Sequence, residues 1–179
     1  YKRQNEPIVE ACRDTEAIAL VGAPTKGELG DHICVLRVQG DGVTIAYRKI
    51  CLSTTEAERF RPGSKPVVID VDGWRLGLAI CKDTGVTEHS DSTANMGMDV
   101  YVAGVLDSAD ESSIQEERAL RVTANHKVWV VVASFAGSTG GGYRHAAARS
   151  RIWSPDGSLV ACAGDETGGI ARTSLTLDF

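Results

Sequence analysis

No stretch of this 179-residue chain approaches the roughly twenty consecutive apolar residues that cross a bilayer, and the opening Tyr1-Lys2-Arg3-Gln4-Asn5 lacks the apolar centre of a secretory leader. Both absences argue for a cytoplasmic protein without a membrane partner. The 19 lysines and arginines are outnumbered by 24 aspartates and glutamates, giving a net charge of -5 with no basic stripe. A phosphate backbone would find nothing to hold, so no nucleic-acid partner is expected. The five cysteines, Cys12, Cys34, Cys51, Cys81 and Cys162, are odd in number, widely spaced and never paired as C-x-x-C. That pattern suits reduced thiols better than a disulfide framework or a zinc site. His32, His89, His126 and His145 are equally dispersed, read as surface or loop residues, and give no reason to expect a metal. There is no internal repeat. With 42% apolar residues the chain can bury one substantial core, so residues 1–179 are expected to form a single domain.

Among what is present, Cys81 stands out. It ends the apolar run Leu76-Gly77-Leu78-Ala79-Ile80 and opens the polar turn Lys82-Asp83-Thr84-Gly85. Such a run reads as a buried strand, and a thiol at its carboxyl end would be held at the rim of a sheet. A buried cysteine is more often only a small hydrophobe, so its surroundings must decide.

Upstream, residues 33–38 and 43–50 read as two strands joined by the turn Gly40-Asp41-Gly42, a hairpin with Lys49 near its end beside Ile50 and Leu52. A lysine there can simply snorkel to solvent, or it can serve as a fixed cation that stabilises an oxyanion and favours a thiolate. The polar segment Thr55-Glu56-Ala57-Glu58-Arg59-Phe60-Arg61-Pro62-Gly63 reads as a loop closing on a Pro-Gly turn, with two carboxylates that could be no more than solvated charge.

The remaining punctuation is regular. Asn5 and Glu6-Pro7 mark a helix start ahead of Ile8, Val9 and Cys12. Asp72-Gly73 joins strands 66–71 and 74–81; residues 86–96 read as a short helix ended by Gly97. Ser108 and Glu111 form a capping-box pattern opening a helix to about Asn125, and residues 128–133 read as a strand covered on both faces. The tract Gly137-Ser138-Thr139-Gly140-Gly141-Gly142 is expected to be a mobile loop, a linker or a lid.

These segments together resemble the nitrilase superfamily of carbon-nitrogen hydrolases from about Glu10 to the carboxyl end. Tyr47-Arg48-Lys49-Ile50-Cys51-Leu52 is similar to the family's catalytic-lysine strand, Glu58-Arg59-Phe60-Arg61-Pro62-Gly63 to the loop with its supporting glutamate, and Gly77-Leu78-Ala79-Ile80-Cys81-Lys82-Asp83 to the nucleophile elbow. Residues 94–102, 121–133 and 150–157 match the later helices, strands and hairpin. The resemblance implies an α/β fold, a four-layer α-β-β-α sandwich. It also implies a Glu-Lys-Cys triad whose glutamate lies on a strand ahead of the segment that Ala17-Ile18-Ala19-Leu20-Val21-Gly22 resembles. Residues 1–16 show no such motif, and neither Glu6 nor Glu10 matches it, so the domain reads as amino-terminally incomplete relative to the family or as a degenerate member without the base. Ala148 stands where a glycine is usual, Ala124 where a glutamate is frequent, and Lys82 where an aromatic residue is common.

The implied chemistry is hydrolysis of a small-molecule amide or carbamoyl compound, less readily a nitrile. Cys81 would be the nucleophile, Lys49 and the backbone N–H of Lys82 the oxyanion donors, and Glu58, with Glu56 as the fallback, the supporting carboxylate. No cofactor is required, because thiolate, ammonium and carboxylate cover every charge in the cycle. Two rivals remain: a non-catalytic association module, and a Cys-His hydrolase using His126 or His145. A sheet lacking its first strand and helix would expose apolar edges, and family members commonly dimerise, so a homo-oligomer is expected.

Overall fold

The computed structural model describes residues 5–140 and 143–176, so Gly141 and Gly142 of the glycine tract lie outside the described residues. Helix α1 (Glu6–Thr15) leads into a three-stranded antiparallel sheet of β1 (Ala19–Thr25), β2 (His32–Gln39) and β3 (Gly42–Arg48). Strand β2 has the alternation that two covered faces demand. Cys34, Leu36 and Val38 meet Cys12 and its helix on one side, and Val35 joins Tyr47 and Leu78 on the other.

A six-stranded mixed sheet follows, ordered β4 to β9: β4 (Val68–Val71), β5 (Trp74–Ile80), β6 (Val100–Val105), β7 (Trp129–Ser134), β8 (Arg151–Trp153) and β9 (Leu159–Cys162). The β4–β5 hairpin turns at Asp72 and Gly73, both at positive φ, as the twist of a two-residue hairpin requires. Strands β5, β6 and β7 are parallel neighbours. Their crossovers carry α3 (Thr87–Ala94) and α4 (Ser112–His126), and Ala119 and Val122 of α4 pack on Tyr101, Ala103, Val130 and Val132. Leu78, Ile80 and Val102 of this sheet meet Val35 and Tyr47 of the first one and Ile50 just beyond it. The layers therefore run α-β-β-α.

Two glycines are sites of close approach. A Cβ on Gly77 would stand 2.5 Å from Thr93 and 2.8 Å from the Met98 sulfur, so a bare backbone lets α3 settle on β5. A Cβ on Gly63 would come within 2.2 Å of the Arg48 carbonyl oxygen. The chain must pass there to bring residues 53–60 back over the end of β3. Ala148 and Arg149 take φ of 50° and 56°, so the left-handed turn that suits a glycine persists here without one.

Three expectations need correction. The segment 54–59 is a helix, α2 (Thr54–Arg59), not a loop. The Ser108–Glu111 capping box opens a 3-10 turn, Ala109–Glu111, before α4 begins. His89 is not a surface residue: it is 4% exposed, between the sheet and α3.

Candidate active site

Parallel strands expose a crevice at their carboxyl ends, and the chemistry-bearing side chains gather there. Cys81 follows β5 and starts a 3-10 helix (Cys81–Gly85) with a φ of 45°, a strained turn for a residue with a Cβ. The turn is clamped from below. The Thr84 hydroxyl donates to the Cys81 carbonyl at 2.7 Å, and Arg121 of α4 donates to the Thr84 carbonyl at 2.6 Å. The Lys82 N–H lies in the first turn of this helix, where the helical pattern supplies no acceptor. Its side chain bends away to the Leu52 carbonyl at 2.7 Å.

Lys49 arrives from the other sheet. An irregularity between Val35 and Leu36 shifts the register at the end of β3. Beyond it Tyr47 and Lys49 both turn inward, 1% exposed, while Arg48 points out. A buried ammonium needs a carboxylate, and Glu56 supplies it: Lys49 Nζ lies 2.5 Å from Glu56 Oε1. The other oxygen of Glu56 accepts the Ser53 N–H at 2.7 Å, while the Ser53 hydroxyl accepts the Glu56 N–H at 3.2 Å. This reciprocal capping box makes α2 and aims Glu56 at once. Burial alone would push the Glu56 carboxyl up, but the Lys49 and Ser53 hydrogen bonds outweigh it and leave its pKa lowered. Glu58, the carboxylate favoured from sequence, is exposed on α2, and it is Glu56 that holds Lys49.

Beneath the elbow lies a buried polar knot. Asp83 is fully buried; its Oδ1 accepts the Cys51 N–H at 2.8 Å, and its Oδ2 accepts the Ile80 N–H at 2.9 Å and the Tyr47 hydroxyl at 2.8 Å. Because the single Tyr47 proton goes to Asp83, the contact with His89 Nε2 at 3.0 Å must have the ring as donor. His89 Nδ1 then accepts from the Tyr101 hydroxyl at 2.9 Å. That assignment is the neutral ring, in keeping with burial pushing the His89 pKa down. Burial and the Asp83 charge push the Cys51 thiol up to about 11, which keeps it protonated.

The Cys81 sulfur faces two oxygens, the Leu106 carbonyl at 3.8 Å and Asp107 Oδ1 at 3.9 Å. Burial pushes this thiol up and Asp107 adds to it; Lys49 and the Leu106 contact pull the other way without reversing it. Lys49 and Glu56 are thus both close enough to act on Cys81 electrostatically. Sequence reasoning did not single out Asp107. Its signal was position: it is the first charged residue after the apolar run 100–106, as Lys82 and Asp83 are after 76–81. His126 lies against Asp91 at 3.0 Å and His145 is exposed, so neither is brought onto Cys81 among the described residues. No three His, Cys, Asp or Glu side chains group as a metal ion would need, and no helix is long and apolar enough to cross a membrane, again among the described residues. A cavity of about 680 Å³ opens nearby, lined by Ala109, Ser112, Arg144, His145, Ala147 and Arg149 among others. It adjoins Asp107 through Ala147, whose N–H donates to the Asp107 carbonyl at 2.9 Å.

Comparison with known proteins bears on the family and the fold. The chain is 26% identical over 172 residues to a probable nitrilase of Schizosaccharomyces pombe, covering 89% of this chain and 59% of the relative. It is 26% identical over 97 residues to an (R)-stereoselective amidase of Pseudomonas sp., covering 54% and 35% respectively. It therefore spans well under two thirds of the length of either. Among solved structures, Nit3 of Saccharomyces cerevisiae, a nitrilase-superfamily member, superposes with a TM-score of 0.83 at 21% identity over 95% of this chain and 64% of that one. The NitN amidase of Neterenkonia sp. AN1 superposes with a TM-score of 0.83 at 20% identity over 97% and 69%. Those identities speak for the fold. The family model for carbon-nitrogen hydrolases matches residues 6–178, and on that match, nearly the whole of the sequence, the chain belongs to the carbon-nitrogen hydrolase family.

Proposed function

We propose that the site hydrolyses the carbon–nitrogen bond of a small amide or carbamoyl compound, with a nitrile the less favoured substrate, through an acyl-enzyme on Cys81. The observation that carries this reading is the convergence of three side chains: the Cys81 thiol on a strained turn at the end of β5, the buried Lys49 ammonium, and Glu56 of α2 that holds the ammonium in place. The triad glutamate that the family resemblance implies takes the Cys81 proton and later returns it to the leaving nitrogen; the thiolate attacks the carbonyl carbon, and negative charge builds on its oxygen. Lys49 and the Lys82 N–H stabilise that charge. Glu56 takes the supporting role that the sequence pattern first offered to Glu58: it fixes the ammonium so that no side-chain reorganisation is needed as charge develops. Collapse expels ammonia or an amine, and water then releases the acyl group.

The rival reading, a non-catalytic association module, is favoured by the burial that raises the pKa of Cys81, since the thiolate and not the thiol is the nucleophile. Self-association is compatible with both readings. The outermost strand β9 exposes Leu159 and Val160, and light scattering reads the oligomer directly. Ammonia release from short amides separates the two. Lys49→Ala is expected to lower turnover by about a thousandfold and His145→Ala by less than about twofold, an oxyanion donor being worth that much. Equal losses in both variants would count against the proposal, as would full activity in Lys49→Ala.

A further inference from the structure

We propose that the substrate carries a carboxylate on its acyl side, held in the cavity beside the elbow by Arg144 and Arg149; this rests on Cys81 being the nucleophile set out above. The first observation is charge. The chain as a whole is acidic, at -5, yet two arginines and His145 line the cavity against one carboxylate, Asp165, among the described residues. Asp165 meets Arg149 Nε at 3.3 Å, but both side chains are more than half exposed, and such a pair holds its cation only weakly. Arg144 has no carboxylate partner among the described residues. The second observation concerns Ser112, the first residue of α4, which also lines the cavity. Its hydroxyl accepts from Arg151 Nη2 at 3.3 Å and gives its own hydrogen to no acceptor among the described residues. Arg151 is 6% exposed, and its Nη1 has no hydrogen-bond partner, with Glu116 Oε2 standing 3.8 Å away. A hydroxyl polarised by a buried guanidinium is a strengthened donor, and the cavity offers it nothing to donate to.

The third observation is position. The cavity wall is pinned to the strand end that stands against the sulfur. The Ala109 N–H donates to the His145 carbonyl at 3.0 Å, Ala146 bridges to Ser108, and the Ala147 N–H donates to the Asp107 carbonyl at 2.9 Å, with Asp107 itself 3.9 Å from the Cys81 sulfur. Just ahead of Arg144, the Tyr143 hydroxyl is pushed up by burial first and then by the Cys81 charge, so this loop lies within electrostatic reach of the nucleophile. Asp107 alone separates the sulfur from the wall, and a short alkyl chain is enough to join an acyl carbon on Cys81 to a carboxylate at the arginines. The planar fork of a guanidinium matches a carboxylate with two parallel hydrogen bonds. A neutral amide fills the same space without answering those donors, and an ammonium would be repelled by them.

The test pairs the monoamides of succinic, glutaric and adipic acid with the neutral amides of equal length, butyramide, valeramide and hexanamide, in wild type, Arg144→Gln, Arg149→Gln and Cys81→Ala. One readout is ammonia release. The other is protection of Cys81 from alkylation by iodoacetamide, followed by peptide mass, which requires no turnover. In the wild type the best monoamide is expected to exceed its neutral partner in kcat/KM by at least about tenfold, the lower worth of a hydrogen bond to a charged group. The advantage is expected in KM, as for binding that ground and transition states share, and to shrink as salt rises from about 50 to about 500 mM. Arg144→Gln is expected to cut the ratio at least about threefold, and Arg149→Gln, whose cation is shared with Asp165, by less. A structural role would slow both amides alike and leave the ratio where it was. A smaller wild-type ratio overturns the proposal, and so does a ratio that neither arginine substitution moves. If amides are cleaved in that event and Cys81→Ala is inactive, the hydrolase stands and only the carboxylate subsite falls. If no amide is cleaved the hydrolase reading falls, and protection decides the subsite: stronger protection by a monoamide, weakened in Arg144→Gln, supports it, and equal protection by the two amides removes it.

Discussion

Two aspartates stand on either side of the Cys81 turn, and they are used differently. Asp83 has both oxygens occupied by three donors, from Cys51, Ile80 and Tyr47. Asp107 has one oxygen held by Gln115 and the other turned to the thiol. A carboxylate saturated by backbone and tyrosine donors cannot accept a proton without breaking the fold around it. One with an oxygen open toward the Cys81 thiol can. Saturation, more than burial, separates the group that builds the site from the one available for chemistry, since both side chains are withdrawn from water.

Stability is the widest way to break that contrast. Asp83→Ala would leave two backbone N–H groups and the Tyr47 hydroxyl without their acceptor, and at roughly 1 kcal/mol or more per stranded group the expected cost is about 3 kcal/mol in a urea denaturation series. Asp107→Asn keeps the shape, and Gln115 retains Ser134, so its cost is expected to stay below about 1 kcal/mol. Equal losses would mean that Asp107 is as structural as Asp83. Tyr47→Phe sharpens the same contrast on a smaller scale. It removes one donor to Asp83 and the acceptor for His89 and the Ile50 N–H, with an expected cost of about 2 kcal/mol in the same assay. A neutral Tyr47→Phe would show that the knot is not what ties the Lys49 segment to the elbow.

How much of this was legible in the chain follows the same division. Hairpin turns such as Asp72-Gly73 and the apolar runs that become β5, β6 and β7 are local signals, and they foretold the sheets. Cys81 and Lys49 were legible because each ends a strand. The choice between Glu56 and Glu58 was missed because Ser53-x-x-Glu56 is itself a capping box, and reading that stretch as a loop hid which carboxylate turns inward. His89 was hidden for a different reason. Helix α3, Thr-Glu-His-Ser-Asp-Ser-Thr-Ala, has no apolar stripe, yet it buries His89, Ser90 and Thr93 because Gly77 lets it lie close to β5 and the histidine finds tyrosine partners. A polar residue buried by a network has no periodicity to betray it. Asp107 is similar: nothing in its neighbours says which strand end will stand beside which until the parallel order of β5 and β6 is known.

The neutral His89 ring offers the finest test of the contrast, through pH. Its pKa in the folded chain lies below the ordinary 6.5, first because of burial, with the Asp83 charge pulling only partly back. The unfolded chain therefore binds the proton first. The contribution of the neutral ring is complete above about pH 6.5 and is lost as pH falls through that value toward the folded pKa. Protonation would put a hydrogen on Nδ1, where the Tyr101 hydroxyl now donates, so the loss has a structural cause. Urea midpoints of the wild type are expected to decline between pH 7 and pH 5, and those of His89→Gln to decline less. That window lies above the ordinary 4.5 of Glu56, whose lowered pKa makes its own stabilisation fall away only in more acid solution. Parallel pH profiles for the two proteins would overturn the lowered pKa, and a wild type that gains stability relative to His89→Gln as pH falls would mean that the ring carries its proton in the folded state. In that second case only the Tyr101 bond reverses, with Nδ1–H donating to its hydroxyl, while Nε2–H goes on donating to Tyr47 and Tyr47 to Asp83, so the saturation of Asp83 does not depend on the charge of the ring.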